Sequence, residues 1–223
     1  MAAPNQDTRN DSNGRSVQRR LIEAGEDLFC RRGFNDTSVR DIAAAADCNV
    51  ASVNYYFGGK DSLYLEIWRR RLDQMRESRL ASIEKVMSAE GQPQLEDLLR
   101  SYATAFLEPL IEGDGQCRFI NLMAREMIDP RLPRDMFTSQ MAAPVMSALS
   151  EALMEICPWL DEPNARIVII LLVGQLIHSI CIKEMFDVSD HPETPRLSVR
   201  DLVDHIVKFS AGGIRAYANR NGA

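Results

Sequence analysis

Apolar residues recur along this chain at helical spacing. Leu21, Ala24, Leu28 and Phe29 fall at i, i+3, i+7 and i+8 and form one stripe. Ser16 is the candidate N-cap of that first helix, and Arg31, Arg32 and Gly33 supply its stop signal. Thr37 or Ser38 caps a second helix, whose inward positions are Val39, Ile42, Ala43 and Ala46. Asp47-Cys48-Asn49 breaks it, Asn49 caps a third helix from Val50 to Phe57, and Gly58-Gly59 ends that one. Lys60 or Asp61 opens a long fourth helix carrying Leu63, Ile67, Leu72 and Met75. Further helices are predicted over about 92–111, 116–128, 133–156 (with a kink at Pro144), 163–186 and 198–217. Residues 187–197 read as a surface loop. The pattern predicts an all-α chain of about nine helices. A helix-turn-helix domain at 15–62 follows a polar, disordered arm at 1–14, and a larger helical domain occupies 63–220.

Two short helices joined by about three residues, inside a three-helix unit, follow helix-turn-helix grammar. At about 100° per residue, Val53 and Phe57 of the third helix point to one side with Val50 nearby. Ala51 and Tyr55 point to the other, flanked by Asn54 and Ser52. The first side suits packing on Ile42, Ala46 and Leu28. The second is small, aromatic and polar, and suits a groove. Two turns of helix are not stable alone, so the third helix depends on its neighbours.

Composition narrows the function. The formal charge is −6, so no global positive field draws the chain to nucleic acid, and any such contact is local. Residues 1–80 hold 13 basic and 12 acidic side chains, and the remaining 143 hold 13 and 20. Cysteines at 30, 48, 117, 157 and 181 are odd in number, widely spaced and without a C-x-x-C pair. They predict scattered buried thiols in a reducing compartment rather than a disulfide framework or zinc site. The first residues lack the apolar core of a signal peptide. The most apolar run, Ile167 to Ile182, is interrupted by Gln175 and His178 and is shorter than the ~20 residues a bilayer needs. The expectation is a cytoplasmic protein. Gly58-Gly59-Lys60 is not the end of a phosphate-binding loop, because Asn54 stands where the first Gly belongs and Asp61 replaces the Ser/Thr.

The stretch TSVRDIAAAADCNVASVNYYFGGKDSLY, residues 37–64, resembles the DNA-binding domain of TetR-type transcriptional regulators. Arg40, Ile42, Ala43, Ala46, Val53, Tyr56, Phe57, Lys60, Asp61 and Leu63 carry the likeness, and VNYYFGGKDSLY is similar to the branch typified by CecR. Asp47 stands where the family has a turn Gly, and Asn49 where it has a Ser cap. The resemblance implies that Val50, Ala51, Ser52 and Asn54 approach base edges, while Tyr55, Tyr56 and Lys60 reach phosphates. Thr37, Ser38 and Arg40 would hold a phosphate at the start of the second helix, with Arg15 and Arg19 adding contacts.

The larger part shows no catalytic signature, neither H-E-x-x-H nor G-x-S-x-G, and no metal-ligand or cofactor set. The helix over 163–186 is too apolar for one buried face. With the last helix it suits a symmetric four-helix bundle between two copies, built from Leu172, Leu176, Ile177, Ile180, Ile206 and Phe209. The family resemblance implies a small-molecule effector cavity. Its candidate wall is Phe106, Phe119, Leu122, Met123, Glu126, Met146, Gln175 and His178, in a chain with ten methionines. The leading expectation is a homodimeric repressor of a pseudo-palindromic DNA operator. A helical protein–protein adaptor is the alternative, and an all-α enzyme is disfavoured by the missing acid, base or nucleophile set.

Overall fold

Gln6–Arg32 forms α1, Val39–Ala45 α2, Val50–Phe57 α3, Lys60–Met87 α4 and Leu95–Ile111 α5. A π-helical turn, Thr138–Ala142, leads into α6, Ala143–Ile156. Glu162–Asp187 forms α7 and Val199–Ala218 forms α8. The computed structural model describes residues 6–111, 122–126, 128–187 and 198–218, with a short helical segment at 122–126 and no strand among the described residues. They fall into two compact units. Unit 1 holds the described residues up to Arg71 with those between 122 and Arg134, and unit 2 holds the rest. The division falls inside α4, between Arg71 and Leu72, rather than after residue 62.

In unit 1, Leu21, Phe29, Ile42, Val53, Leu63 and Ile67 are fully or almost fully buried. Gly25 lets α1 approach α4 closely, since a Cβ there would lie 3.1 Å from the Ile67 side chain. The turn between α2 and α3 is made as the Asp47 substitution requires: its φ is +49°, the left-handed region an Asp tolerates better than most residues. One expectation fails at the start of the chain. α1 begins at Gln6, so the segment read as a disordered arm is helical from that residue, and Ser16 lies inside the helix and is not its cap. Its polar residues include no proline after Pro4, and extending an existing helix is far easier than nucleating one.

Unit 2 packs α5 against α8 and α7, and α7 against α6 and α8. At Pro144, where a kink is expected, the helix begins just after a π-helical turn. Proline cannot donate to the carbonyl four residues back and its ring crowds that carbonyl. The chain widens into the π-helical turn just before it, and the Gln140 carbonyl instead accepts from Arg76 Nη1 at 2.9 Å. Ser198 caps α8 through its Oγ, which accepts from Asp201 N at 3.1 Å and donates to Asp201 Oδ2 at 2.6 Å. The stretch Glu162–Ile182 is 21 residues long and, by length and composition, long enough to cross a bilayer, contrary to the reading of the shorter apolar run. Within unit 2 it is a packed helix on one side, with Leu172, Leu176 and Ile180 buried. Cys30 and Cys157 are buried, Cys48 is half-buried and Cys181 is exposed, so the expectation of buried cysteines fails at Cys181. Cys117 lies outside the described residues.

Candidate nucleic-acid interface

α3 is held by its two ends. Asn49 Oδ1 accepts from Ala51 N at 2.9 Å, satisfying one of the donors a helix N-terminus leaves open. Gly58, at φ +78°, closes the other end through its N–H to the Asn54 carbonyl. Between them Val53 is fully buried, while Val50, Ala51 and Asn54 are exposed and Tyr55 is 82% exposed. Ser52 and Tyr56 are half-buried, and the Tyr55 and Tyr56 rings meet edge to face at 4.9 Å. Phe57, expected in the core, is only half-buried. It is the last residue of α3, and the chain turns away at Gly58, so nothing from α3 covers its far side.

The approach to α2 departs from expectation. Thr37 is 1% exposed, and its hydroxyl donates to the Gly33 carbonyl at 2.8 Å. Ser38 and Asp41 form a reciprocal capping box: Ser38 Oγ accepts from Asp41 N, and Asp41 Oδ2 accepts from Ser38 N at 2.9 Å. Bonds from the Ser38 hydroxyl and then from its backbone hold the Asp41 carboxyl below its usual range. The N-terminus of α2 thus already carries an anion, which competes with a phosphate for the same dipole. Lys60 also turns inward. Its Nζ donates to the carbonyls of Phe34 at 3.0 Å and Thr37 at 2.9 Å and sits 4.1 Å from the centre of the Phe34 ring. Thr37, Ser38 and Lys60, named as phosphate contacts, have their side chains committed to building the head. Arg40 is exposed, and Arg19 is paired with Glu23 at the surface.

Phe34 organises this corner, and the hydrophobic pattern did not single it out. Its ring stacks on Phe29 at 5.6 Å and meets Tyr64 at 5.0 Å. The Arg131 guanidinium lies 4.6 Å from the same ring, and Arg131 Nη2 donates to Asn35 Oδ1 at 2.8 Å. The Tyr64 hydroxyl donates to Glu126 Oε2 at 2.7 Å; burial, then this bond, pushes the phenol up. Glu126 Oε1 accepts from the backbone N–H groups of Arg131 and Leu132. Arg125 Nη1 donates to the Arg32 carbonyl at 3.2 Å. A side chain at Gly33, where φ is +86°, would collide with that guanidinium, so the glycine that ends α1 also admits Arg125. A cleft of about 220 Å³ lies here, between Gly33–Asp36 and the residues around Arg125 and Asp129. The local signal for these residues is weak, because an aromatic in a loop and an Arg-Glu neighbour pair look like ordinary surface.

The effector candidates are divided between the two units. Leu122, Met123 and Glu126 belong to unit 1, where Glu126 is occupied as just described. Phe106 and Met146 belong to unit 2. Gln175 donates to Ser210 Oγ, joining α7 to α8, and His178 is exposed on α7. Gln175 thus ties two helices together, and His178 faces outward. Phe119 lies outside the described residues. The dimer candidates also divide. Leu172, Leu176, Ile180 and Ile206 are buried inside the single chain, whereas Ile177 is 49% and Phe209 75% exposed. The open apolar face consists instead of Ile167, Ile170, Leu171, Ile177 and Phe209.

A capped recognition-type helix on a three-helix head, with an all-helical second unit, defines the helix-turn-helix DNA-binding class. Residues 21–67 match the family described as bacterial regulatory proteins, tetR family, and residues 95–214 match the C-terminal domain of the HTH-type transcriptional dual regulator CecR. Among individual relatives, the HTH-type transcriptional repressor Rv3405c of Mycobacterium tuberculosis is 33% identical over 59% of this chain and 68% of its own length. The dual regulator CecR of Shigella flexneri is 26% identical over 74% and 75%. Bacillus subtilis YttP, a probable HTH-type regulator by its description, reaches 50% identity but over only 22% of this chain and 23% of its own length. Solved structures share the fold. A fatty acid degradation regulator, FadR from Bacillus halodurans, superposes with a TM-score of 0.63 at 16% identity, covering 89% of this chain and 96% of that one. A TetR-like regulator from Rhodococcus sp. RHA1 gives 0.61 at 16%, covering 89% and 96%. The chain belongs to the TetR family of bacterial transcriptional regulators, with a C-terminal domain of the CecR type.

Proposed function

We propose that this chain works as a homodimeric repressor that grips a pseudo-palindromic operator with α3 and releases it when a small molecule enters unit 2. The observation that carries the DNA half is the outer face of α3. Val50, Ala51, Asn54 and Tyr55 stand exposed on a helix fixed at both ends. Val50, Ala51 and Ser52 approach base edges, Asn54 pairs with a base or phosphate, and Tyr55, Tyr56 and Arg40 reach the backbone. A regulator of this kind works where the DNA is, in the cytoplasm.

The dimer half is supported by the exposed face of α7 and α8. Ile167, Ile170, Leu171 and Ile177 are each about half exposed or more, and Phe209 is 75% exposed. Apolar side chains gathered on adjoining helices mark an association surface. A second copy that covers this face supplies a second head, and twofold-related heads meet half-sites ~34–36 Å apart or a multiple of it. Selection of genomic fragments by the purified protein, followed by gel shift with excess competitor DNA, tests the assignment. Enrichment of an inverted repeat bound by a 2:1 complex is expected. Salt-sensitive binding without sequence preference, or a 1:1 complex, overturns it.

A further inference from the structure

Five arginines punctuate the middle of α4, and four of them pair with carboxylates of their own chain. Arg69 and Arg70 both pair with Glu66, Arg71 with Glu26, and Arg76 with Asp73. Arg100 of α5 pairs with Asp204, and Arg215 of α8 with Glu96. Arg79 differs. It is 4% exposed, yet among the described residues no carboxylate and no backbone carbonyl accepts from its guanidinium. Nη1 donates to the Met141 sulfur at 2.9 Å, and the guanidinium carbon lies 4.0 Å from the centre of the Phe106 ring. Tyr102, 2% exposed, is near enough for the two groups to shift each other's pKa. Burial pulls the arginine pKa down, as expected for a charge held without a counter-ion.

A guanidinium has five N–H donors, and a thioether is a weak acceptor. A stacked ring stabilises the charge but satisfies no in-plane donor. A buried cation in this condition is destabilising unless something completes it. The completing group is an acceptor with negative charge. A carboxylate matches the planar fork with two parallel bonds. One buried cation neutralises one charge, so a doubly charged phosphate would leave an excess in an apolar setting. Phe106, Tyr102 and Met141 favour an apolar body attached to the anion. Met141 is also the movable neighbour: its side chain is flexible, and it sits on the π-helical turn, a distortion that recurs at functional sites. The same turn buries the Gln140 side-chain oxygen without a partner.

We propose that Arg79 anchors an organic monocarboxylate with an apolar body inside unit 2, held against Phe106, Tyr102 and Met141. This rests on the effector reading above and gives the effector its charge and chemical class.

The test compares acids with their neutral amides on the full-length protein. Acetate, octanoate and benzoate are titrated against acetamide, octanamide and benzamide, with binding read by calorimetry and by thermal shift. At least one acid is expected to bind wild type tenfold or more tightly than its amide. Arg79→Met is expected to erase that preference, and Arg79→Lys to retain part of it. Equal binding of every acid and amide, or no binding by any acid, overturns the proposal, and this comparison in wild type needs no variant to fold. An unchanged acid preference in Arg79→Met overturns it as well. A gel shift with the same compounds separates the two claims. An acid that binds through Arg79 without releasing operator removes the effector reading and leaves the anion site. Release by an amide as readily as by its acid leaves the effector reading and removes the anion site.

Discussion

Each unit sets a cation against a phenyl ring, and the two are finished differently. In unit 1, Lys60 lies over Phe34 with two backbone carbonyls on its ammonium, and the ring is itself wedged between Phe29 and Tyr64. In unit 2, Arg79 lies over Phe106, and among the described residues only a sulfur accepts from it. The first arrangement is architecture: the cation donates to two carbonyls in the segment that joins α1 to α2. The second is left open by the described residues. The same contrast runs along α7, where Leu176 is enclosed and its neighbour Ile177 is not. A group the chain completes by itself carries stability, and a group it leaves incomplete points to a partner.

The largest effects are expected on α7. Leu176→Glu buries an unpaired carboxylate, at a cost of several kcal/mol, and should abolish the cooperative melt of the protein. Ile177→Glu, one residue on, should keep the helical circular dichroism and sediment as a monomer. If both variants unfold, or both remain dimers, the division of that helix into an inner and an outer face is wrong.

The two cations should then respond with opposite signs. Lys60→Met leaves two carbonyls without their charged donor and should lower stability in urea by about 1.5–3 kcal/mol. Its effect should appear as stability and not as a change in the salt slope of operator binding. Arg79→Met removes a buried charge that no described carboxylate completes and should leave the unliganded protein as stable as wild type, or more stable by about 1–4 kcal/mol. A marked loss for Arg79→Met would make both cations structural and erase the contrast.

On the recognition face, Tyr55→Ala should alter stability by no more than about 0.5 kcal/mol, since the side chain is 82% exposed. It should nonetheless weaken operator binding in a gel shift by tenfold or more. Preserved affinity would remove Tyr55 from the interface.

The smallest effect concerns acid pH. The Asp41 and Asp201 carboxyls are held below the ordinary 3.8 by their capping serines, Ser38 and Ser198. A lowered folded-state pKa means the charged form is favoured by folding. Its contribution is therefore present above 3.8 and fades as pH falls through the lowered values. Ser38→Ala should flatten the Asp41 part of that acid limb in thermal melts followed from pH 5 downward, leaving the Asp201 part in place.

Much of the head was legible because its signals are local. Asn49 as a cap, Gly33 and Gly58 as stops, and the positive φ forced on Asp47 all follow from a residue and its neighbours within a turn. The inner and outer faces of α3 followed from helical periodicity, with Phe57 misjudged because it ends the helix. Lys60 was not legible, because its contacts are not local. Its partners, Phe34 and Thr37, lie 26 and 23 residues away, so an exposed helix-start lysine and a half-buried one look alike in sequence.

By itself the sequence determined the all-helical class, most of the caps and turns that punctuate it, and the family of the head, because these depend on interactions within a few residues. Tertiary structure decided which side of the uniformly apolar α7 is enclosed, that Pro144 is relieved by a π-helical turn whose freed carbonyl Arg76 takes, and that Glu126 closes on Tyr64. It alone separated Arg79 from the arginines that precede it on the same helix. Along the chain these are equivalent charges, and only the position of the carboxylates in space shows which of them lacks one among the described residues.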